Sequence, residues 1–333
     1  MIGLVCALYC SQAWPHADSQ TTSPSTASSH APLGVMGDHR HKKGEIMVSY
    51  RLMHMDMDGS RIGSRRTTAR QTVGTMGNPG QFLVAPTSMP MDMHMIGLMV
   101  GLSDNITLMG MARLVDNKMD HLVRNGRTFT TEASGLGDTT IGVMIRLLEN
   151  GNHKIHWNLS LSLPTGSTDE RDDTPTMANA FLPYPMQLGS GTFDLLPGIT
   201  YIGQHERWRW GGQLSAVIRT CDADEGYTLG DRFAATGWLS RDLSNQLSTS
   251  LRFNYQDWDN IDGQNIALNP NVVQTANTAL QGGDRVDLSL GFNYLFKNGH
   301  RLAIEYGLPI SQNLNGPQLE TDSVLTVGWQ KAF

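Results

Sequence analysis

The sequence has no long apolar run: nothing in its 333 residues approaches the ~18 consecutive hydrophobic positions of a membrane-spanning helix. Charge is scarce too, at 17% of residues, against roughly 25% in ordinary soluble domains. The net charge is −6 and no basic stripe occurs, which excludes a nucleic-acid partner. Three cysteines, Cys6, Cys10 and Cys221, supply no disulfide framework. No Gly-x-Ser-x-Gly elbow and no His-Glu-x-x-His run occurs, so no motif nominates a catalytic residue or a cofactor. What the chain does have is 35 glycines, 18 methionines and only 39% hydrophobic residues. A barrel that crosses a bilayer with strands fits this balance, because each strand needs apolar residues only at alternate positions.

The last twelve residues, DSVLTVGWQKAF, carry the pattern openly. Leu325, Val327, Trp329 and Phe333 fall on one side, Thr326, Gly328 and Gln330 on the other. This is the period of a strand with one apolar face. It closes on an aromatic, as outer-membrane barrels typically do, although Lys331 interrupts the usual apolar ending. The same alternation predicts strands over Glu45–Met57, Met91–Leu102, Ile106–Asp116, Asp138–Leu148, His153–Leu163 and Thr192–Ile202. It continues over Arg207–Thr220, Arg232–Arg241, Gln246–Asp257, Asp284–Phe296, His300–Ile310 and Asp322–Phe333. In Asp284–Phe296, for example, Val286, Leu288, Leu290, Phe292 and Tyr294 oppose Asp287, Ser289, Gly291 and Asn293.

A soluble sandwich also alternates, so the connections decide. Short links at Ser103–Asn105, Glu149–Asn152, Gly203–Glu206, Asp242–Asn245 and Lys297–Gly299 alternate strictly with long ones. The long ones are Asp58–Pro90, Asn117–Gly137, Pro164–Gly191, Cys221–Asp231, Trp258–Gly283 and Ser311–Thr321. Short periplasmic turns and long external loops are the rule of outer-membrane barrels. Aromatics near strand ends, such as Tyr50, Trp157, Trp208 and Trp329, suit the interfacial girdles of such a barrel. The fold predicted is therefore an all-β, antiparallel, up-and-down transmembrane barrel of about twelve strands over residues 45–333. Met1–Ala13 reads as a signal peptide ending in a small-residue pattern, with lipidation at Cys10 as the alternative. The Ser/Thr-rich residues that follow make 14–44 a flexible periplasmic linker.

Several segments resemble a known family. GLGD at Gly135–Asp138, LSLPTGS at Leu161–Ser167 and GSGTFDLLPG at Gly189–Gly198 are similar to the outer-membrane transporter family named after the meta-pathway of phenol degradation. So are GGDRVDLSLGFNYLF and NGPQLETDSVLTVGWQKAF. The resemblance spans roughly Gly34 to Phe333. It implies a barrel that passes small, often hydrophobic compounds, and it brings no catalytic residues.

The methionines are concentrated in MHMDMDG at Met53–Gly59 and MPMDMHM at Met89–Met95. With Ile46, Val48, Tyr50 and Leu52 toward lipid, the first strand turns Met47, Met53, Met55 and Met57 inward. The second turns in Met91, Met93, Met95 and Met99, and the third Met109 and Met111. Thioethers select soft ions such as Cu(I), and imidazole suits copper or zinc, which makes Met53, Met55, Met57, Met91, Met93, Met95, His54 and His94 candidate soft-metal ligands. The competing reading, an apolar lumen wall or adaptable packing, asks nothing more than the flexibility of methionine. His54 and His94 have the wrong parity to point inward, which weighs against a combined site. His39 and His41 precede the first strand.

Inward charges are the other candidates. Arg51, Arg113, Arg146, Arg209, Arg219, Arg252 and Arg301, with Asp287 and Glu305, are expected to line the pore and tune its selectivity, or to knit an ionic plug. The acidic run Asp169–Asp173 reads as a solvated loop, with calcium binding as the sharper alternative. A lipid-hydrolysing barrel would want serine and histidine at the outer rim, whereas His156 and Ser160 point inward. The sequence therefore predicts an integral protein of the Gram-negative outer membrane, a porin-like channel or transporter and not an enzyme. Its partners would be outer-membrane lipid and a small-molecule or ion cargo, either a hydrophobic or aromatic solute or a soft metal ion. A barrel enzyme acting on lipid and a surface-binding or structural barrel are the alternatives.

Overall fold

A computed structural model describes residues 26–333; the expected signal peptide, Met1–Ala13, lies outside them. Eleven strands close into a ring: β1 (Ile46–Gly63), β2 (Met91–Ser103), β3 (Ile106–Val123), β4 (Thr139–Asn150), β5 (His153–Leu163) and β6 (Asp194–His205) form one half. The other half is β7 (Trp208–Arg219), β8 (Arg232–Asp242), β9 (Leu247–Trp258), β10 (Gly283–Leu295) and β11 (His300–Ala332). The last strand doubles back on itself. Its first arm pairs antiparallel with β10 from Leu295↔Arg301 to Gly283↔Leu314, and its second pairs antiparallel with β1 from Arg61↔Gln318 to Met47↔Ala332. The wall thus has twelve staves. The connection expected at Ser311–Thr321 is itself strand, and β1 and β3 likewise run on into segments expected to be loops.

Why the ring closes follows from its surface. In β10, Leu290 is 51% exposed while Ser289 and Asn293 are 2% and 3% exposed. Ile96, Leu98, Leu251 and Leu302 are exposed in the same way. A water-soluble sandwich would bury the apolar face; here the polar face is inside. In lipid every backbone group must find a partner within the protein, and only a ring without edges satisfies all of its strands.

One irregularity marks the wall. The β6–β7 ladder pairs Leu195↔Ile218 and next Gly198↔Ser215, skipping Leu196 and Pro197. Proline has no N–H to donate, so the ladder opens there.

At the long-loop end the connections pack into two apolar clusters. Met89, Met119, Leu182 and Met186 form one, and Tyr184, Tyr227, Ile261 and Leu268 the other. Burial raises the phenol pKa of both tyrosines. The acidic run is drawn into a small hairpin, Arg171–Thr174 with Met177–Phe181, in which Asp172 accepts from the Glu132 amide at 2.8 Å and Asp173 from the Asn179 amide at 2.8 Å.

The segment before β1 is not a free linker over its described part. Residues 26–41 lie inside the barrel, with Ala27, Leu33 and Val35 buried, and Lys42, Lys43 and Gly44 are exposed where the segment leaves it. The chain enters beside β8, where Asp242 accepts both the Ser28 amide (2.9 Å) and the Ser28 hydroxyl (2.8 Å). It rises to the middle of the lumen, where Arg51 donates to the Leu33 carbonyl at 2.9 Å, Gln213 to the Met36 carbonyl at 2.8 Å and His156 to the Gly37 carbonyl at 2.9 Å. It leaves beside β2 and β3, where the His41 amide donates to Thr107 Oγ1 at 2.9 Å and Arg40 pairs with Glu149 at 2.8 Å. The physical reason is that inward-facing side chains offer donors that the exposed carbonyls of an irregular segment satisfy. Gly328 and Gly101 make room: a Cβ on Gly328 would stand 2.7 Å from Leu33, and one on Gly101 would stand 1.9 Å from the Lys42 carbonyl oxygen.

Candidate functional site

Beyond this N-terminal segment lies a chamber of about 460 Å³. Gly34, Met36 and Gly37 form part of its boundary. Its two sides differ in chemistry because the strands that build them differ in sequence.

On the β1–β3 side the inward positions are thioethers. Register places Met53 opposite Met93 and Met55 opposite Met91. Met53, Met55, Met109 and Met111 line the chamber. Met57, Met91 and Met93 continue outward into the cluster of Met89, Met119 and Met186. Inward, Met47, Met99 and Met144 are buried together with Met109 against them; Met95, 9% exposed, stands opposite Arg51. A methionine stripe thus runs the length of the barrel. His54 and His94 are not part of it. His54 reaches Asp92 at 2.7 Å and Asp56 at 3.2 Å, and His94 meets the Tyr50 hydroxyl at 2.7 Å, on the face opposite the thioethers. Strand parity separates them from the stripe, so the mixed Met/His ligand set is not assembled.

On the β9–β11 side the lining is ionic. Arg252 pairs with Glu305 at 2.6 Å and Arg285 with Asp287 at 2.9 Å, and all four line the chamber. Arg113 also lines it, donating to Thr140 Oγ1 at 3.0 Å. The remaining sequence candidates lie elsewhere. Arg51, Arg209 and Arg301 are spent on the N-terminal segment, Arg301 donating to the Ala27 carbonyl and to Ser29 Oγ (2.7 Å), Arg209 to Thr26 Oγ1 (3.3 Å). Arg219 pairs with Asp194. Arg146 sits at the short-turn end beside Glu149, at 3.7 Å, and does not reach the chamber.

Sequence reasoning passed over Arg285 and the whole N-terminal contribution. A signal for the latter was present in the arithmetic of charge: seven inward arginines faced two named carboxylates. The surplus donors require acceptors from outside the strands.

A second cavity, about 690 Å³, indents the lipid-facing surface at Leu108, Ile141, Leu159 and Ile218. It shares Met109, Ser160, Leu196 and Pro197 with the central chamber, at the place where the β6–β7 ladder is interrupted. Ser160 Oγ lies against Met109 Sδ and His156 is occupied by Gly37, so the two inward residues weighed for hydrolysis are each otherwise engaged.

Comparison with known proteins agrees with this architecture. Residues 66–308 match the family described as "Putative MetA-pathway of phenol degradation". The crystal structure of an outer membrane channel from Pseudomonas putida F1 is similar with a TM-score of 0.64 at 15% identity, covering 90% of this chain and 99% of that one. Two others lie below a TM-score of 0.5. The KdgM porin, solved in complex with disordered oligogalacturonate, has 0.43 at 10% identity, covering 86% and 99%. The Pseudomonas putida toluene transporter TodX has 0.41 at 11%, covering 88% and 90%. No curated protein matches the chain in sequence.

Proposed function

Because the chain belongs to the family described as "Putative MetA-pathway of phenol degradation" and folds as an outer-membrane barrel, we propose that it is a channel for small solutes and that its cargo is a small, largely apolar molecule, the aromatic class included. The observation that carries this reading is the chamber lining. Thioethers together with Leu196, Pro197, Val217 and Val324 offer burial to an apolar solute. Four of the charges opposite them are paired, Arg252 with Glu305 and Arg285 with Asp287, and leave Arg113 as the one lining charge without a carboxylate partner among the described residues. The volume of about 460 Å³ lies within the roughly 300–1,000 Å³ typical of small-molecule pockets. The apolar indentation behind Leu196 and Pro197 supports the same cargo class.

The test is uptake into proteoliposomes carrying the folded protein. A monoaromatic solute is expected to enter faster than through empty liposomes, by a margin that a sugar of similar size does not show. Equal enhancement for both, or none for the aromatic, would overturn the reading.

A second reading is favoured by one specific observation, the register that sets Met53 against Met93 and Met55 against Met91. Paired thioethers suit Cu(I) or Ag(I). Titration with Ag(I) decides it: stoichiometric binding that persists after Met53, Met55, Met91 and Met93 are replaced by leucine would remove these residues from the site.

A further inference from the structure

The N-terminal segment carries a histidine cluster that the channel reading leaves unused. One donor atom each of His30, Asp38 and His39 lies within 4.8 Å of the others. The His30 and His39 rings are 3.8 Å apart between centroids, and His41 meets His39 edge-on at 4.8 Å. Three imidazoles from a single irregular segment thereby lie side by side, the first pair tilted and the second edge-on.

Their hydrogen bonds show which nitrogens are free. His39 Nδ1 is held by Asp38 Oδ1 at 2.8 Å, and the other Asp38 oxygen accepts the Ala31 amide at 2.8 Å. His41 Nδ1 faces Glu45 at 3.5 Å. What remains is His30 Nδ1, His39 Nε2 and His41 Nε2, each buried and without a hydrogen-bond partner among the described residues. Buried polar atoms without a partner are costly, and three in one place call for an occupant. A neutral imidazole offers a metal ion the lone pair of its unprotonated ring nitrogen.

We propose that His30, His39 and His41 bind one divalent transition-metal ion that favours imidazole, of the zinc or copper(II) class, and that the ion clamps the N-terminal segment in its seated form. Imidazole nitrogen is a common ligand for both metals, and zinc holds nitrogen at about 2.0–2.1 Å. Binding requires the side chains to rotate, that of His41 above all, so that the three nitrogens converge on one ion. Asp38 is a positioning residue: it fixes the His39 tautomer with Nε2 outward, as carboxylates commonly do behind metal-bound histidines. Asp38 and Glu45 offset the charge of the ion. The clamp works because the three ligands come from both arms of the segment, His30 before the rise to mid-lumen and His39 and His41 after it.

The experiment uses untagged, full-length folded protein in detergent, stripped with chelator and titrated with Zn²⁺ by calorimetry. One equivalent is expected to bind at micromolar concentration or below. The triple variant His30→Ala, His39→Ala and His41→Ala is expected to lose that site. Asp38→Asn is expected to weaken it by about 10–100-fold. Heat-modifiable gel migration establishes that each variant is a folded barrel. Cu²⁺ bound to the unaltered protein provides a measurement that needs no variant: its electron paramagnetic resonance spectrum should show coupling to imidazole nitrogens. Absence of a saturable site, or one that the triple variant retains, or copper spectra without nitrogen coupling, overturns the proposal. None of these readouts depends on the cargo, so failure here is distinguishable from failure of the transport reading.

Discussion

The two walls of the lumen make opposite use of the same strand geometry. On β1–β3 most inward positions are methionines, which make no directional demands and pack against one another from end to end of the barrel, with Arg51 and Arg113 the charged exceptions. On the far side the inward positions are arginines and carboxylates, each of which requires a partner with defined geometry. The difference teaches where the N-terminal segment is held. Arg51, Arg301 and Arg209 grip its carbonyls and hydroxyls, while the thioethers make no hydrogen-bond demand on it. The polar contacts fix its position, and the methionine wall leaves an adaptable surface beside it.

Breaking the grip on the segment, which Arg51 on β1 and Arg301 on β11 share, gives the largest expected effect. Arg51→Ala with Arg301→Ala removes charged donors from Leu33, Ala27 and Ser29. Hydrogen bonds to charged groups are worth about 1.5–3 kcal/mol each, so the seated form should lose at least about tenfold in population. Single-channel recording should then show larger or longer openings than in the unaltered protein; an identical conductance would mean that the segment does not limit flow.

A smaller effect is expected within the chamber. Glu305→Gln leaves Arg252 without its counter-charge beside Arg285 and Arg113. Chemical denaturation should show a loss of about 1.5–3 kcal/mol, and reversal potentials should move toward anion selectivity. An unchanged reversal potential would place the pair outside the ion path.

The thioether side should yield least. Met53→Leu with Met93→Leu conserves volume and apolarity, and such swaps usually cost less than about 1.5 kcal/mol. Uptake of an apolar solute should be nearly unchanged while any Ag(I) binding falls. A large loss of apolar uptake would show that sulfur itself, and not greasiness, matters along this wall.

Much of the fold was legible in the sequence because a strand's period of two is a local property. Leu290 against Ser289, or Ile96 against Met95, can be assigned to opposite faces without knowing any neighbour. The alternation of short and long connections then orders the staves around the ring. Parity also separated His54 and His94 from the methionines, and the structure places them with Asp92, Asp56 and Tyr50 on the other face. Legibility ended where partners are distant or unlabelled. Arg301 looks like a pore charge until the Ala27 carbonyl, far away in sequence, is seen to occupy it. Arg146 has inward parity, yet its height along the strand puts it at the turn end beside Glu149.

Residues 14–44 show the limit most clearly. Composition reads them as a linker, since short polar residues, histidines and glycines bury little apolar surface of their own. The described part is nonetheless ordered, because the lumen supplies donors for its carbonyls and a groove under Leu33 and Val35. The sequence by itself determined which side of each strand meets lipid and that the strands close into a ring, because alternation and the bilayer's demand for paired backbone leave no other arrangement. Tertiary structure alone decided that the N-terminal segment enters the lumen and leaves a chamber beyond it, and that His30, His39 and His41 meet. Those outcomes depend on backbone carbonyls and buried ring nitrogens whose partners only the closed barrel brings within reach.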